Sequence, residues 1–342
     1  MPGAGDPAAD RLGAGGRALL LLADPVSVSI VRQLASGPLE STELLDRVDY
    51  VSRSTYFERM RDLEELSIIV RRRRADVPPV AECWLGGPGQ RLLPVADLLE
   101  AWLSGAPQGP LKLGEAYATV AIKSLAVAWG STLLRWLAER PCSLAELAQL
   151  VDGLGYRKLE RNARDLIKVG LAERLPDNRR PTLHRATPWA RQAAGSLTAA
   201  MRWEQHEIPG KSAPVTSIEA EGALLLALPQ IELPVDANGT CALLVDADAP
   251  GEKSLGGAVV RLTAGQPVSW GSIADHRSEA DCWVRGTTSA WLGAASDRAS
   301  GGLRRGGDNT LLAANVLTAL REAGSAHWSI PVGGSSESAE LA

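Results

Sequence analysis

Two stretches carry side chains suited to reading a nucleic-acid duplex. The first holds Arg53, Ser54, Thr55 and Arg59, the second Arg157, Lys158, Arg161 and Asn162. An arginine guanidinium can take the O6/N7 edge of guanine with two hydrogen bonds, and an asparagine amide can do the same for adenine. Further cations follow each stretch: Arg71, Arg72, Arg73 and Arg74 after the first, Arg179 and Arg180 after the second. Such arginines hold phosphates or enter the minor groove. The competing reading is a solvated charged face, and Glu58, Asp62, Glu64 and Glu65 strengthen it for the first stretch.

Each stretch needs a helix with one buried face. Tyr56, Met60, Leu63 and Leu66 recur at helical spacing, as do Leu159, Ala163, Leu166 and Val169, which sets the polar positions outward. Upstream, Ile30, Val31 and Leu34 form an apolar face that Gly37-Pro38 ends. Ser41 or Thr42 can cap a short second helix with Leu44, Leu45 and Val48 inward, and Ser52 can cap the third. Downstream, the run 68–74 and the run 81–85 flank Val77-Pro78-Pro79, the pattern of a two-stranded wing. A last helix from near Pro88 carries Leu92, Leu93, Val95, Leu98, Leu99 and Trp102. The second stretch repeats the plan, with a wing over 172–185 turning at Pro176-Asp177-Asn178 and a last helix from about Thr187 to Trp203. Two short helices, a tight turn and an amphipathic helix make a helix-turn-helix.

The repetition is in the residues themselves. Ser29 to Arg71 aligns with Thr132 to Arg174 without a gap at an offset of 103, and 12 of the 43 pairs are identical, including Arg61-Asp62-Leu63 with Arg164-Asp165-Leu166. Chance supplies roughly one identity in 15. One small unit is used twice.

On Gly37-Pro38, Arg61-Asp62-Leu63-Glu64, Val77-Pro78-Pro79, Glu82-Cys83-Trp84-Leu85, Gly89, Leu92 and Trp102, the chain resembles the HxlR family of winged-helix transcription regulators, well over residues 17–105 and more weakly over 115–207. That resemblance implies a dimer packed through first and last helices, with the third helix in the DNA major groove. Oxidant- or aldehyde-sensing members carry a cysteine near the N-terminus, and residues 1–82 contain none. Members usually have one winged helix per chain, and this chain has two candidates.

Composition sets limits. The net charge is −4, but its distribution is uneven: residues 1–107 carry 12 basic and 15 acidic side chains, 115–207 carry 14 and 10, and 208–342 carry 9 and 15. Duplex binding needs local rather than global positive charge. The four cysteines and four histidines are scattered without ligand spacing, so no metal and no cofactor is expected. No apolar run approaches about 20 residues, so no membrane span is expected. Residues 1–16 lack the basic start and apolar core of a signal peptide and are expected, like 333–342, to be a disordered tail.

After Ile208-Pro209-Gly210 the pattern shifts to short strand-like runs at 223–228, 241–245, 258–262 and 281–284, then helical segments at 287–296 and 309–323. On Ala280-Asp281-Cys282-Trp283-Val284, the segment 287–292 and Gly301-Gly302-Leu303-Arg304-Arg305-Gly306-Gly307-Asp308, this part resembles the sterol carrier protein family over about 215–325. The resemblance implies a mixed sheet under helices around an apolar tunnel, with Leu226, Leu244, Val260, Trp283, Trp291, Leu292 and Val316 as candidate walls for a hydrophobic effector. Plain core, or a dimerisation or spacer module, is the rival reading.

The expected architecture is α+β: tandem winged helix-turn-helix domains at 17–107 and 115–207, then a mixed α/β sterol-carrier-like domain at 212–330. The expected function is a bacterial, cytosolic transcription regulator that binds double-stranded DNA. It would act as a pseudo-dimer within the chain, with half-sites about 34–36 Å apart, or as a homodimer. A protein-interaction scaffold is the alternative. An enzyme is not expected, since no nucleophile–base set or phosphate loop is visible, and Asp308 reads as a helix N-cap.

Overall fold

The computed structural model describes residues 12–48, 52–73, 81–151, 154–176, 181–210, 214–248, 256–274, 280–294 and 302–325. The first unit runs α1 (Gly16–Ala23), α2 (Pro25–Ala35), β1 (Leu39–Glu40), α3 (Ser41–Arg47), α4 (Arg53–Glu65), β2 (Ile69–Arg73), β3 (Ala81–Leu85) and α5 (Gly87–Ser104). The second repeats that order: α6 (Ala116–Ala126), α7 (Ala128–Glu139), β4 (Cys142–Ser143), α8 (Leu144–Leu150), α9 (Tyr156–Lys168), β5 (Ala172–Arg174), β6 (Leu183–Ala186), α10 (Pro188–Gln192) and α11 (Ala194–Glu207).

The repetition extends to backbone bonds. Ile68 N–H donates to the Leu63 carbonyl and Leu171 N–H to the Leu166 carbonyl, both at 2.9 Å and 103 positions apart. Leu39 pairs with Cys83 in the first small sheet, and Cys142 with His184 in the second. After the wing the matching offset is 101, so the second wing is two residues shorter.

Local chemistry explains the elements. Asp24 caps α2 and Ser52 caps α4, each accepting a main-chain N–H, and Ser143 and Glu146 form a reciprocal capping box on α8. Ser41 and Thr42 cap nothing. They lie inside α3, and the Ser41 hydroxyl instead meets the Cys83 thiol at 3.2 Å. The last helix of the second unit is broken at Ala193 into α10 and α11.

Two further departures from expectation have physical causes. Leu12 to Gly16 is no tail: Leu12 bridges to Val127, and Ala14 N–H donates to Glu219 Oε1 at 2.7 Å. Residues 1–11 and 326–342 lie outside the described residues. The run 223–228 is not a strand but belongs mostly to α12 (Ser217–Ala227), followed by a 3₁₀ turn at Leu228–Gln230. A Thr216–Glu219 capping box starts this helix. It is buried between α7 on one side and the sheet on the other, so its apolar residues show no single face to read.

The rest of the third part is β7 (Gly239–Asp246), β8 (Gly256–Thr263), β9 (Gln266–Ser272), β10 (Cys282–Thr287), α13 (Thr288–Ala294), β11 (Arg304–Gly307) and α14 (Thr310–Ser325). The strands form one sheet in the order β11-β10-β7-β8-β9, parallel only between β10 and β7. Edge strands β9 and β11 escaped the sequence reading. β11 is Arg-Arg-Gly-Gly with no apolar residue, and β9 contains Pro267, which an edge position tolerates. The β8–β9 turn is Ala264-Gly265, both at positive φ. Asn309, not Asp308, caps α14, its Oδ1 accepting from Leu312 N–H at 3.0 Å.

The parts share one continuous core. Helix α1 packs on α6, and α5 packs on α11. The third part docks on the second unit. Buried Glu221 of α12 accepts from Arg135 Nε of α7 at 3.0 Å and from Gly257 N–H at 3.0 Å, and Trp270 Nε1 donates to the Ala138 carbonyl at 3.0 Å.

Candidate nucleic-acid interface

Helix α4 buries Tyr56, Met60 and Leu63 against the first unit, and burial pushes the Tyr56 hydroxyl up to about 12. Arg53 and Ser54 are exposed at its start, and Thr55 is half-buried. The Ser52 hydroxyl lies 2.8 Å from both the Ser54 and Thr55 hydroxyls, which orders this first turn. Between these polar groups Phe57 stands 53% exposed. Arg59 does not project freely. Its Nε lies 3.3 Å from Asp24 and its Nη1 3.1 Å from Asp62, so it ties α4 back to the cap of α2.

In the second unit, α9 buries Leu159, Ala163 and Leu166. Arg157 and Arg161 are exposed, Lys158 is half-buried, and Tyr156 is 54% exposed beside them. Asn162 overturns its assignment: it is only 3% exposed, faces inward, and its amide Nδ2 has no hydrogen-bond partner. It occupies the place of Arg59 in the duplicated unit. Neither unit therefore presents this position to a duplex. A 3.6-residue period puts position 162 on the flank of the apolar stripe, and packing against the unit decided its side.

The wings are partly placed. Arg71 pairs with Glu64 at 2.9 Å, while Arg72 is exposed. Arg73 ends β2, and Arg74, Arg179 and Arg180 lie outside the described residues. Sequence reasoning passed over Arg61 and Arg164 as contact residues, although both are exposed and also 103 positions apart, because they served there as signature residues of the repeat and the family resemblance.

The expected tunnel walls are mostly solid core. Leu226, Val260 and Val316 are buried, and the half-buried Trp283 ring packs against Gly306. Half-buried Leu244 contributes a carbonyl that accepts the Trp291 indole N–H at 2.9 Å. Trp291 and Leu292 border a cleft of about 780 Å³ that opens against α5 and α11. Among the described residues no group of His, Cys, Asp or Glu could hold a metal ion, and no single helix is long and apolar enough to cross a membrane.

No curated protein matches the chain, and no solved structure does. A family model does match, the HxlR-like helix-turn-helix, over residues 21–108, the span from α1 to the end of α5. Residues 21–108 are therefore similar to the HxlR-like helix-turn-helix, and the match does not extend to the rest of the chain.

Proposed function

We propose that the chain regulates transcription by binding duplex DNA through two winged helices held in one polypeptide, the second formed by residues 115–207. The observation that carries this reading is the shared hydrogen-bond register of the two units, which gives α9 the same place as α4, the reading helix of the matched domain. The seam between them supports a built-in pseudo-dimer. Helices α1 and α6 pair, as do the last helices α5 and α11, inside one chain. Joining both readers covalently makes the second contact intramolecular, at an effective concentration on the order of mM. The two surfaces differ: α9 offers Arg157, Lys158 and Arg161, whereas α4 offers Arg53, Ser54 and Thr55 beside Glu58. This suits an asymmetric operator.

The third part, wedged on α7 and bordering α5 and α11, is placed to favour one arrangement of the readers when a small molecule binds. Such control requires different effector affinity in the two arrangements.

The test is titration of labelled duplex fragments flanking the chain's own gene, at 50 and 200 mM salt. Tight binding to one fragment, falling steeply with salt, supports the reading. Salt-insensitive or absent binding to every fragment overturns it and favours a scaffold.

A further inference from the structure

We propose that the cleft of about 780 Å³ between α5, α11 and the helices α12, α13 and α14 is a binding site for an apolar molecule bearing one carboxylate. Its volume falls in the range of small-molecule sites, about 300–1,000 Å³. Its walls come from three parts of the chain that are far apart in sequence: Leu98 of α5, Ala199 of α11, Leu224 of α12, Leu292 of α13, and Leu317 and Leu320 of α14. Such walls favour a hydrocarbon or aromatic body.

The polar groups at the cleft are unbalanced in charge. Arg91, Arg202 and Arg321 border it, against a single carboxylate, Glu207. That carboxylate is taken: both of its oxygens accept from Arg91. Arg202 has no ion pair among the described residues. Arg321 donates through Nε to the Ala294 carbonyl at 2.7 Å, but its Nη2 is buried with no hydrogen-bond partner. A guanidinium has donors only, so a buried N–H without an acceptor is costly. A ligand carboxylate supplies the acceptor and the charge together, and the planar fork of arginine matches it. Phosphate or sulfate alone would leave the apolar walls uncovered.

The site differs from the expected tunnel, because it is lined by α5 and α11 as well as by the helices of the third part. Its position gives binding a consequence that rests on the proposed DNA reading. A molecule filling the cleft bridges α5 to α11, the two last helices whose packing sets how the two units face each other.

The experiment uses the full chain and 8-anilino-1-naphthalenesulfonate as a fluorescent apolar anion, with decanoate and decanol as competitors. The expected result is saturable probe binding that decanoate displaces at roughly tenfold lower concentration than decanol. Arg321→Gln and Arg202→Gln should each erase most of that preference, at the scale of one charged hydrogen bond. Ala199→Phe and Ala223→Phe, filling the cleft from two different helices, should each weaken the probe several-fold, with melting temperature checking that each still folds. No saturable binding, equal displacement by decanol, or indifference to both phenylalanine variants overturns the site. No DNA is present in this titration, so failure of the DNA reading leaves its outcome standing. A decanoate-induced change in duplex affinity tests the coupling separately.

Discussion

The indole rings of Trp102 and Trp189 stack with centroids 4.5 Å apart and planes 7° from parallel, and each ring N–H donates to the other residue's carbonyl at 2.9 Å. Trp102 closes α5 and Trp189 opens α10. At the other end of the seam Trp203, near the end of α11, donates to the Pro88 carbonyl at the start of α5, also at 2.9 Å. Positions 102 and 203 are 101 apart, as are 88 and 189, so the two bonds are mates under the pseudo-twofold relation. The last helices run antiparallel, each clamped by the other's terminal tryptophan. Replacing Trp102 or Trp203 by Phe keeps an aromatic ring but removes the indole donor from the Trp189 or the Pro88 carbonyl. Each should cost about 1–3 kcal/mol, with Trp102→Phe the worse because its stacking partner shifts too. Urea unfolding reads this as a lower midpoint at unchanged slope. A midpoint equal to that of the unaltered protein for both would show that the seam does not depend on these bonds.

The proposed DNA contact of α9 makes a second prediction. Replacing Arg157, Lys158 and Arg161 together by Ala should lower duplex affinity by 10-fold or more and flatten its salt dependence by up to about three counterions. Asn162→Ala should leave affinity unchanged, because the side chain faces inward. It should not lower stability much either, since the amide Nδ2 it removes has no partner to lose. Fluorescence anisotropy with the best fragment decides the matter. A large affinity loss in Asn162→Ala would mean that the helix turns differently on DNA.

How far the fold was legible follows from where the signal lies. The helices of the first two units could be read because each has one wet and one dry face, so Tyr56, Met60 and Leu63 repeat at 3.6-residue spacing. Helix α12 could not, because Leu224, Leu225 and Leu226 are flanked by α7 and the sheet at once. Strand β11 could not, because its pairing with β10 is made by backbone alone. Of the candidate site, Arg53, Ser54, Arg157 and Arg161 were readable as outward positions. Arg59 was misjudged because its partner Asp24 comes from another helix. The cleft was invisible, since Arg202 and Arg321 meet only after three parts of the chain have packed.

Ser67 and Gly170 occupy the same place, 103 positions apart, after α4 and α9, and both have positive φ, 56° and 81°. They are not interchangeable. A Cβ on Gly170 would meet Pro107 Cγ at 2.8 Å, because the linker crosses over the second unit there. Gly170→Ser should cost about 2 kcal/mol or more, combining left-handed strain with that clash. Ser67→Gly relieves strain but frees the unfolded chain, and should come out within about 1 kcal/mol of neutral. Thermal melting of the two variants should differ in this order, and equal losses would show that the linker yields freely.

The last prediction concerns pH. His184 of β6 is buried and stands where the first unit has Cys83. Burial holds its imidazole below the ordinary 6.5, and Arg174, its cross-strand partner, adds to the depression. The folded protein therefore keeps His184 neutral where the unfolded chain begins to take a proton. This part of stability is complete above about pH 6.5 and is lost as pH falls through the lower folded value. Glu204 works in the opposite sense. Burial raises its carboxyl although Ala18 N–H donates to it at 2.8 Å, so its charged form becomes unfavourable as pH rises above the ordinary carboxylate value. The overall melting curve mixes both, so the comparison must be between the protein and His184→Cys, which installs the first unit's residue. The two melting temperatures should differ by a constant above pH 7, and the variant should gain on the unaltered protein as pH is lowered from 6.5 to 5. Parallel curves over that whole range would mean that His184 accepts its proton in the folded state after all.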